Sequence, residues 1–367
     1  MTELERGIDA LQPLIDRVIA ARAAKTALDI RGGNTKSWYG EAPQGEPLAT
    51  TALTGISSYE PTELVVTVRA GTPLAELEAA LTERGQCLPF EPPRFASGGT
   101  VGGMVAAGLA GPARASLGSL RDYVLGATLL SGRGEVLTFG GQVMKNVAGY
   151  DVSRLLAGSL GILGLICEVS LKVLPVAPVV CTLRFQLNEA MALQRLNDWG
   201  GRPLPLSASA WWGGMLVLRL AGAAAAVHSA HAKLGGELVE PALAESFWAG
   251  LRDHSDEFFA GAEKAVQLGA SLWRLSVPQT APPLKLSGEQ LIEWGGAQRW
   301  LCTSTPAVQL REIASAAGGH ATLFRSNDKS PGAFTPLKAP LDRIHRELKA
   351  AFDPDGVFNR GRLYPGL

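Results

Sequence analysis

Apolar residues return at helical spacing near the start of the chain, at Leu11, Leu14, Ile15, Val18 and Ala21, and predict a helix running to about Ala24. Thr2 and Glu5 form a capping box ahead of it, and Pro13 marks a point where it kinks or divides. KTALDIRGGNTK then reads as a short strand ending at Arg31, followed by a turn at Gly32, Gly33 and Asn34, residues that accept left-handed backbone. A further strand is predicted over Leu64 to Arg69. The helix after it takes Thr72 as N-cap, Pro73 as its first residue and Gly85 as its stop. SLRDYVLGATLLSGRGEVLTFGG predicts two strands around a Gly-Arg-Gly turn, and YDVSRLLAGSLGILGLICEVSLKVLP a short helix capped by Asp151, a glycine loop and a strand from Ile166 to Leu174. Pro175 and Pro178 mark a joint. Beyond it VVCTLRFQL, MLVLRLAG and SLWRLSV are strand-like and alternate with helical stretches at Ala223 to Lys233 and Pro306 to Ala316, the pattern of an antiparallel sheet carrying helices.

FASGGTVGGMVAAGL, residues 95 to 109, interrupts this rhythm with five glycines. Glycine costs folding entropy, so such a cluster serves either tight turns or a second molecule lying against bare backbone. Glycine-bearing turns also occur at 31 to 36 and 158 to 164. None fits G-x-G-x-x-G between strand and helix or G-x-x-x-x-G-K-[ST], which argues against a Rossmann dinucleotide site and a P-loop. Clustered main-chain N–H groups can still hold a diphosphate without side-chain charge.

Composition acts by exclusion. The 367 residues make room for roughly two domains, at about 150 residues each, and 46% apolar content rules out a disordered chain. With 34 basic and 34 acidic residues evenly mixed, there is no electrostatic footprint for nucleic acid or an anionic bilayer. Cys87, Cys167, Cys181 and Cys302 are scattered without C-x-x-C spacing, so they build neither a local zinc site nor an iron–sulfur cluster and read as reduced cytosolic thiols. The acidic, amphipathic start is not a secretory signal, and the longest apolar run, Leu155 to Cys167, is too short to span a bilayer.

Five ordered stretches carry a resemblance. RGGNTK resembles the pyrophosphate loop of the vanillyl-alcohol-oxidase type of FAD-binding domain, also called PCMH-type. FASGGTVGGMVAAG, SLGSLRDYVLG, GGQVMKNVAGYDVSRLLAGSLGILGLI and the terminal FDPDGVFNRGRLYPG are together similar to the FAD-binding subunits of bacterial glycolate oxidases. The likeness covers about residues 25 to 177 and the last fifteen or so, and is weak between them. It implies an α+β protein: a two-lobed PCMH-type domain over 1–177, an α+β cap with an antiparallel sheet over 178–345, and a segment at 346–367 returning to the first domain.

The resemblance also implies residue roles. Arg31, Gly32, Gly33, Asn34, Thr35 and Lys36 would wrap the FAD diphosphate. Gly99, Thr100, Val101, Gly102, Gly103 and Gly108 would let the main chain pass close to the dinucleotide. Ser116, Gly118, Ser119 and Asp122 would hold the ribityl and diphosphate region, with Asp122 as a turn cap the alternative, and Gly161, Gly164 and Ile166 would contact the adenosine end. Some members tether FAD through a histidine in the first loop; none stands near Gly32 and Gly33, so dissociable FAD is expected. The implied partners are a second, catalytic FAD subunit and an iron–sulfur subunit, at the inner face of the membrane, in a complex oxidising glycolate or a related small 2-hydroxy acid.

Hydride transfer from a 2-hydroxy acid to flavin requires a cation for the carboxylate and a base for the hydroxyl proton. In the second half the best pair is His320 and Arg325 in GGHATLFR, although their odd spacing points them to opposite faces unless the strand ends or bulges between them. No histidine follows His320 to complete a metal cluster, and His228 and His231 read as an exposed helical face, so no metal is expected. Two alternatives stay open: a flavin-carrying subunit whose catalysis resides on other chains, and a stand-alone flavin oxidoreductase for another alcohol.

Overall fold

The computed structural model describes residues 3–141 and 151–367, with side chains described from residue 10 onward. Thr2 of the expected capping box, the Glu5 side chain and residues 142–150 of the GGQVMKNVAGY stretch lie outside the described residues.

A helix at Glu3–Ala24 runs through Pro13 and lays Leu14, Val18 and Ala21 against Leu28, Leu48, Leu130 and Phe358. Leu28–Arg31 pairs in parallel with Glu46–Ala49, and beside them stands a five-stranded antiparallel sheet in the order Ile56–Glu60, Val65–Arg69, Leu165–Lys172, Val124–Leu130, Val136–Gly140. Val65–Arg69 is buried along nearly its whole length, its three valines apolar and its Thr67 hydroxyl bonded to that of Ser170 at 2.8 Å, as suits a strand covered on both faces. Leu74–Thr82 and Val101–Ala107 cover it with Leu74, Leu77, Leu81, Val101, Met104 and Val105.

After residue 178 the chain builds an eight-stranded sheet in which every adjacent pair is antiparallel. One face packs on Val227, Ala230, Leu310 and Ala314 of its own helices. On another, Ala208, Ala210, Leu272, Trp300 and Phe324 meet Tyr39, Ala107, Leu109 and Leu160 from the first half of the chain in a single core cluster. The two halves are thus joined by apolar burial.

Thr72 does not cap the following helix. Its hydroxyl accepts the Gly55 N–H at 2.9 Å, Pro73 takes the N-cap position, and the N–H of Leu74 is satisfied by the Gly99 carbonyl at 2.8 Å. A side chain already engaged across a turn cannot serve the helix as well, so the glycine stretch closes that end instead.

The terminal segment returns to the first strand. Leu28 donates to the Val357 carbonyl at 2.7 Å and accepts from the Asn359 N–H at 2.9 Å. Lys349 is the fully buried residue of the helix Leu341–Phe352, whose Leu348 and Phe352 pack partly buried on the core; its ammonium donates to the Ile162 and Phe358 carbonyls at 2.7 and 2.8 Å and pairs with Asp353 at 2.6 Å. The Asp353 carboxylate in turn accepts the Val357 and Phe358 N–H groups, each at 2.8 Å. Removing one member of a buried, fully hydrogen-bonded ion pair leaves the other uncompensated. Asp353→Ala is therefore expected to destabilise the fold by about 3–5 kcal/mol in urea titrations, whereas Arg343→Ala, in an exposed helical pair, should stay within about 0.5 kcal/mol of the parent.

Candidate functional site

The glycine loops meet in one place. Loop 31–37, Thr50, Thr100, Gly102, Gly103, Ala106, Leu160, Gly161, Gly164, Ile166, Asn359 and Arg362 line a cleft holding about 840 Å³ of empty space, its open mouth included.

The structure sorts the glycines by what surrounds them. A methyl group on Gly33 would overlap the Gly98 carbonyl, and one on Gly32 the Thr100 hydroxyl. Gly102 lies against Ala70, with room for no side chain between helix and strand, and Gly108 closes the helix at φ +61° hard against Gly158. These positions are bare because backbone or a neighbouring side chain already fills the space a methyl group would take. Gly99 and Gly103 differ: a methyl at Gly99 would come no nearer than 3.5 Å to the Thr35 hydroxyl, and one at Gly103 would face the Thr100 hydroxyl at 3.2 Å. Gly99 is the one position of the five-glycine stretch whose freedom the protein itself does not use.

Two side chains from the carboxyl end hold the loops in register. The Asn359 side chain accepts the Ile30 N–H at 2.8 Å and donates to the Leu160 carbonyl at 2.6 Å, so one amide joins the first strand to the loop carrying Gly161. The Arg362 guanidinium donates to the carbonyls of Lys36, Ser37 and Glu41, and Lys329 donates to those of Trp38 and Gly40. These two cations pin the carbonyls of the 36–41 segment beside the cleft. Sequence reasoning missed both residues as functional, although NRGR lies inside the terminal stretch singled out there.

Among the cleft's charges, Arg31 is held by Asp29 at 2.6 Å. Lys36 lacks such an ion pair among the described residues: its ammonium lies 3.4 Å from the Thr35 hydroxyl and 5.8 Å from the Phe95 ring centre. Burial pushes its pKa down to about 8, against an opposing pull from Asp253. A half-buried ammonium with this little compensation is a ready partner for an anion.

Ser116, Gly118, Ser119 and Asp122 do not line the cleft. Arg114–Leu117 packs against the strand Leu206–Trp212, and the Asp122 carboxylate accepts the N–H and hydroxyl of Ser119 at 2.8 and 2.9 Å in a capping box. Val101 is fully buried in the core.

His320 and Arg325 begin and end the strand His320–Arg325, five steps apart, roughly 16 Å of extended chain. The ladder shifts between the pairs Leu272–Arg325 and Trp273–Leu323, leaving Phe324 unpaired, and this bulge brings Arg325 to the face that its odd spacing would deny it. Arg325 lies over Trp38, 3.9 Å from its ring centre, and lines a second cavity with Phe95, Asp253, His254 and Phe259. His320, exposed, does not line it. The imidazole there is His254, stacked on Phe259 at 3.7 Å, with a buried Nδ1 that has no hydrogen-bond partner. Burial, with Arg325 and Arg274 nearby, lowers its pKa well below the usual value and keeps the ring neutral.

Known proteins resemble this chain in sequence and in fold. Residues 11–140 match the family described as FAD binding domain. The glycolate oxidase subunit GlcE of Escherichia coli K12 is 46% identical over 362 residues, 99% of each chain. A D-lactate dehydrogenase of Anaerostipes hadrus is 34% identical over 38% of this chain and 29% of its own length, and the glycolate oxidase subunit GlcD of Bacillus subtilis 31% over 40% and 31%. An alkyldihydroxyacetonephosphate synthase structure superposes with a TM-score of 0.63 at 13% identity, covering 94% of this chain and 73% of that one, a likeness of fold.

Gly33→Ala forces the loops at 33 and 98 away from each other and should cost about 1–3 kcal/mol in thermal unfolding, with earlier proteolysis of the 31–43 region. Gly99→Ala should unfold within about 0.5 kcal/mol of the parent.

Proposed function

Since the chain belongs to the GlcE family of FAD-binding glycolate oxidase subunits, we propose that the cleft between loop 31–37 and the turn around Gly99 seats FAD, that it does so without a covalent bond, and that the holoprotein serves glycolate oxidation together with partner chains. The observation supporting this placement is the meeting of loop 31–37, Thr100, Gly103 and Gly161 around one cleft, with Lys36, which has no carboxylate ion pair among the described residues, in its wall.

Bound FAD supplies a two-electron acceptor for a hydride leaving the carbon that bears the hydroxyl. This chain's residues do the rest. The amides of Gly32 to Thr35 and the Lys36 ammonium hold the diphosphate; Thr100 and Gly103 border it, and Gly161, Gly164 and Ile166 line the far wall. Gly108, Val101 and Gly102 act indirectly, through packing. Ser116, Gly118, Ser119 and Asp122 keep their assigned contact with the flavin chain only if the cofactor extends beyond the cleft toward them. On the substrate side Arg325 contributes a positive field, and neutral His254, rather than the distant His320, is positioned to accept the hydroxyl proton.

A second reading has support of its own. The separation of His320 from Arg325 leaves the expected pair unable to work on one short acid, which favours a flavin-carrying subunit whose substrate is oxidised on a partner FAD chain, with an iron–sulfur chain taking the electrons. Among the described residues no helix is long and apolar enough to cross a membrane. We place the subunit on the cytoplasmic side, peripheral to the membrane through its partners.

Acid precipitation of yellow holoprotein should release the flavin to the supernatant; flavin retained on the polypeptide refutes the non-covalent reading. Anaerobic glycolate should bleach the isolated chain if it is itself the oxidase, and only the reconstituted complex under the second reading. Because burial depresses Lys36 to about 8, its charge fades as pH rises through that value, so FAD affinity should fall between pH 7 and 9 while the Lys36→Met variant stays flat. The sign for the empty fold is opposite: the unfolded lysine keeps its proton up to its higher ordinary pKa, so stability rises with pH across that window.

A further inference from the structure

Val180 and Leu238, 55% and 57% exposed, line an open groove at one edge of the eight-stranded sheet, with about 1800 Å³ of empty space, its mouth included. One wall is a single face of the helix Pro241–Asp253: Ala244, Glu245, Trp248, Ala249 and Arg252 recur at the three-and-four spacing of one helical stripe. The Trp248 indole ties that helix to the strand Val179–Gln186 by donating to the Thr182 hydroxyl at 3.0 Å, and Arg219, opposite Thr182 in the ladder, lies 5.0 Å from the Trp248 ring centre.

The strand edge beside the groove is open. In an antiparallel ladder the N–H and C=O of one residue point to the same side and those of the next residue to the other. Val239 donates to the Thr182 carbonyl at 2.9 Å, so Thr182, and with it Val180 two residues earlier, turns its backbone away from the neighbouring strand Met215–Gly222. The two-residue strand Glu237–Leu238 pairs with Leu183 and Arg184, and the chain then enters the helix at Pro241. Among the described residues no strand continues past Val180 on that side. An edge with free N–H and C=O groups beside apolar side chains is a template for one more strand.

The charges narrow what fits. Arg94 is engaged by Glu78 at 2.9 Å, Arg219 by Glu91 at 2.7 Å and Arg252 by Asp253 at 2.6 Å. Glu240 and Glu245 form no ion pair among the described residues; the first accepts the Leu243 N–H as a helix cap. The free charge of the groove is therefore negative. A second copy of this chain, docked across a twofold axis, would set the same patch against itself and oppose these acids to one another. A helix lying in the groove would leave the Val180 N–H and C=O unmet, whereas an extended segment meets them.

We propose that this groove receives an extended segment of a partner subunit, which adds a strand beside Val180, lays apolar side chains on Val180 and Leu238, and brings a lysine or arginine to Glu240 and Glu245. The helix of 13 residues is about 20 Å long, the span of about six extended residues. The assignment rests on the reading of this chain as a subunit of an assembly. Val180, Leu238 and Glu245 line neither the flavin cleft nor the cavity at Arg325.

The test measures binding of the FAD-loaded chain to its partner FAD and iron–sulfur chains, co-expressed without it and held on an interferometry sensor. Val180→Asp puts a carboxylate on the apolar floor of the groove and should weaken binding by about 10- to 100-fold. Glu245→Arg should weaken it by about 10-fold. Both positions are exposed on the free chain, and bound FAD should be unchanged. Val180→Pro removes only the free N–H and should cost about fivefold; should that variant not fold, Val180→Asp decides alone. Deuterium exchange over residues 179–182 should slow on assembly, which a contact made by side chains alone does not produce. Parent affinity in the Val180→Asp and Glu245→Arg variants overturns the proposal, as does unchanged exchange at this edge. Self-association of the parent that Val180→Asp abolishes assigns the groove to a second copy and overturns it too. A flavin-loaded parent that binds neither partner chain overturns the subunit reading, and the proposal falls with it.

Discussion

Main chain pressed on main chain is the constraint from which the site follows. Gly33 lies against the Gly98 carbonyl and Gly108 against Gly158, with no side chain between them, while Gly32 makes room for the Thr100 hydroxyl. Once these loops touch, they border a shared space. The stability lost in ordering so many glycines is offset elsewhere, chiefly in the apolar clusters beneath the cleft and in the buried Lys349–Asp353 node. Under the proposed placement, a chain of zero net charge would hold an anionic nucleotide through local peptide dipoles and the cations Arg31, Lys36 and Arg362 of the cleft wall.

The charges that matter are few and local. Most surface ion pairs are exposed and contribute little. By contrast Lys36 and Arg325 converge on the seam between the two halves, held by rings instead of carboxylates. Burial without compensation makes this seam responsive to anions. The same seam carries Tyr39, Trp38 and Phe324, so packing that joins the halves also shapes the space between them. Stability and function draw on the same residues there.

Much of the first half was legible. The helical face of Leu14, Val18 and Ala21, the strand ending at Arg31, the buried strand before Arg69 and the two strands around the Gly-Arg-Gly turn each follow from local period and turn chemistry. Boundaries shifted where a side chain had a distant partner, as with Thr72, whose hydroxyl goes to Gly55 and not to the helix it precedes. The glycine loops were legible as a set. Which glycines serve packing and which face open space was not, because that depends on Gly98, Ala70 and Gly158, contacts that are remote in sequence or specific to the folded loops.

By itself the sequence determined the element types, the five ordered stretches that mark an FAD-binding chain, and the absence of a first-loop histidine, since each of these is written in local spacing and residue chemistry. Only the tertiary structure decided that Asn359 and Arg362 hold the cleft, that a bulge turns Arg325 toward Trp38, that His254 and not His320 shares its cavity, and that the strand edge at Val180 lies open beside Glu240 and Glu245. Position along a chain says what a residue can do; which groups meet depends on how sheets and loops are brought together by burial, and an unsatisfied charge is visible only after every possible partner has been placed.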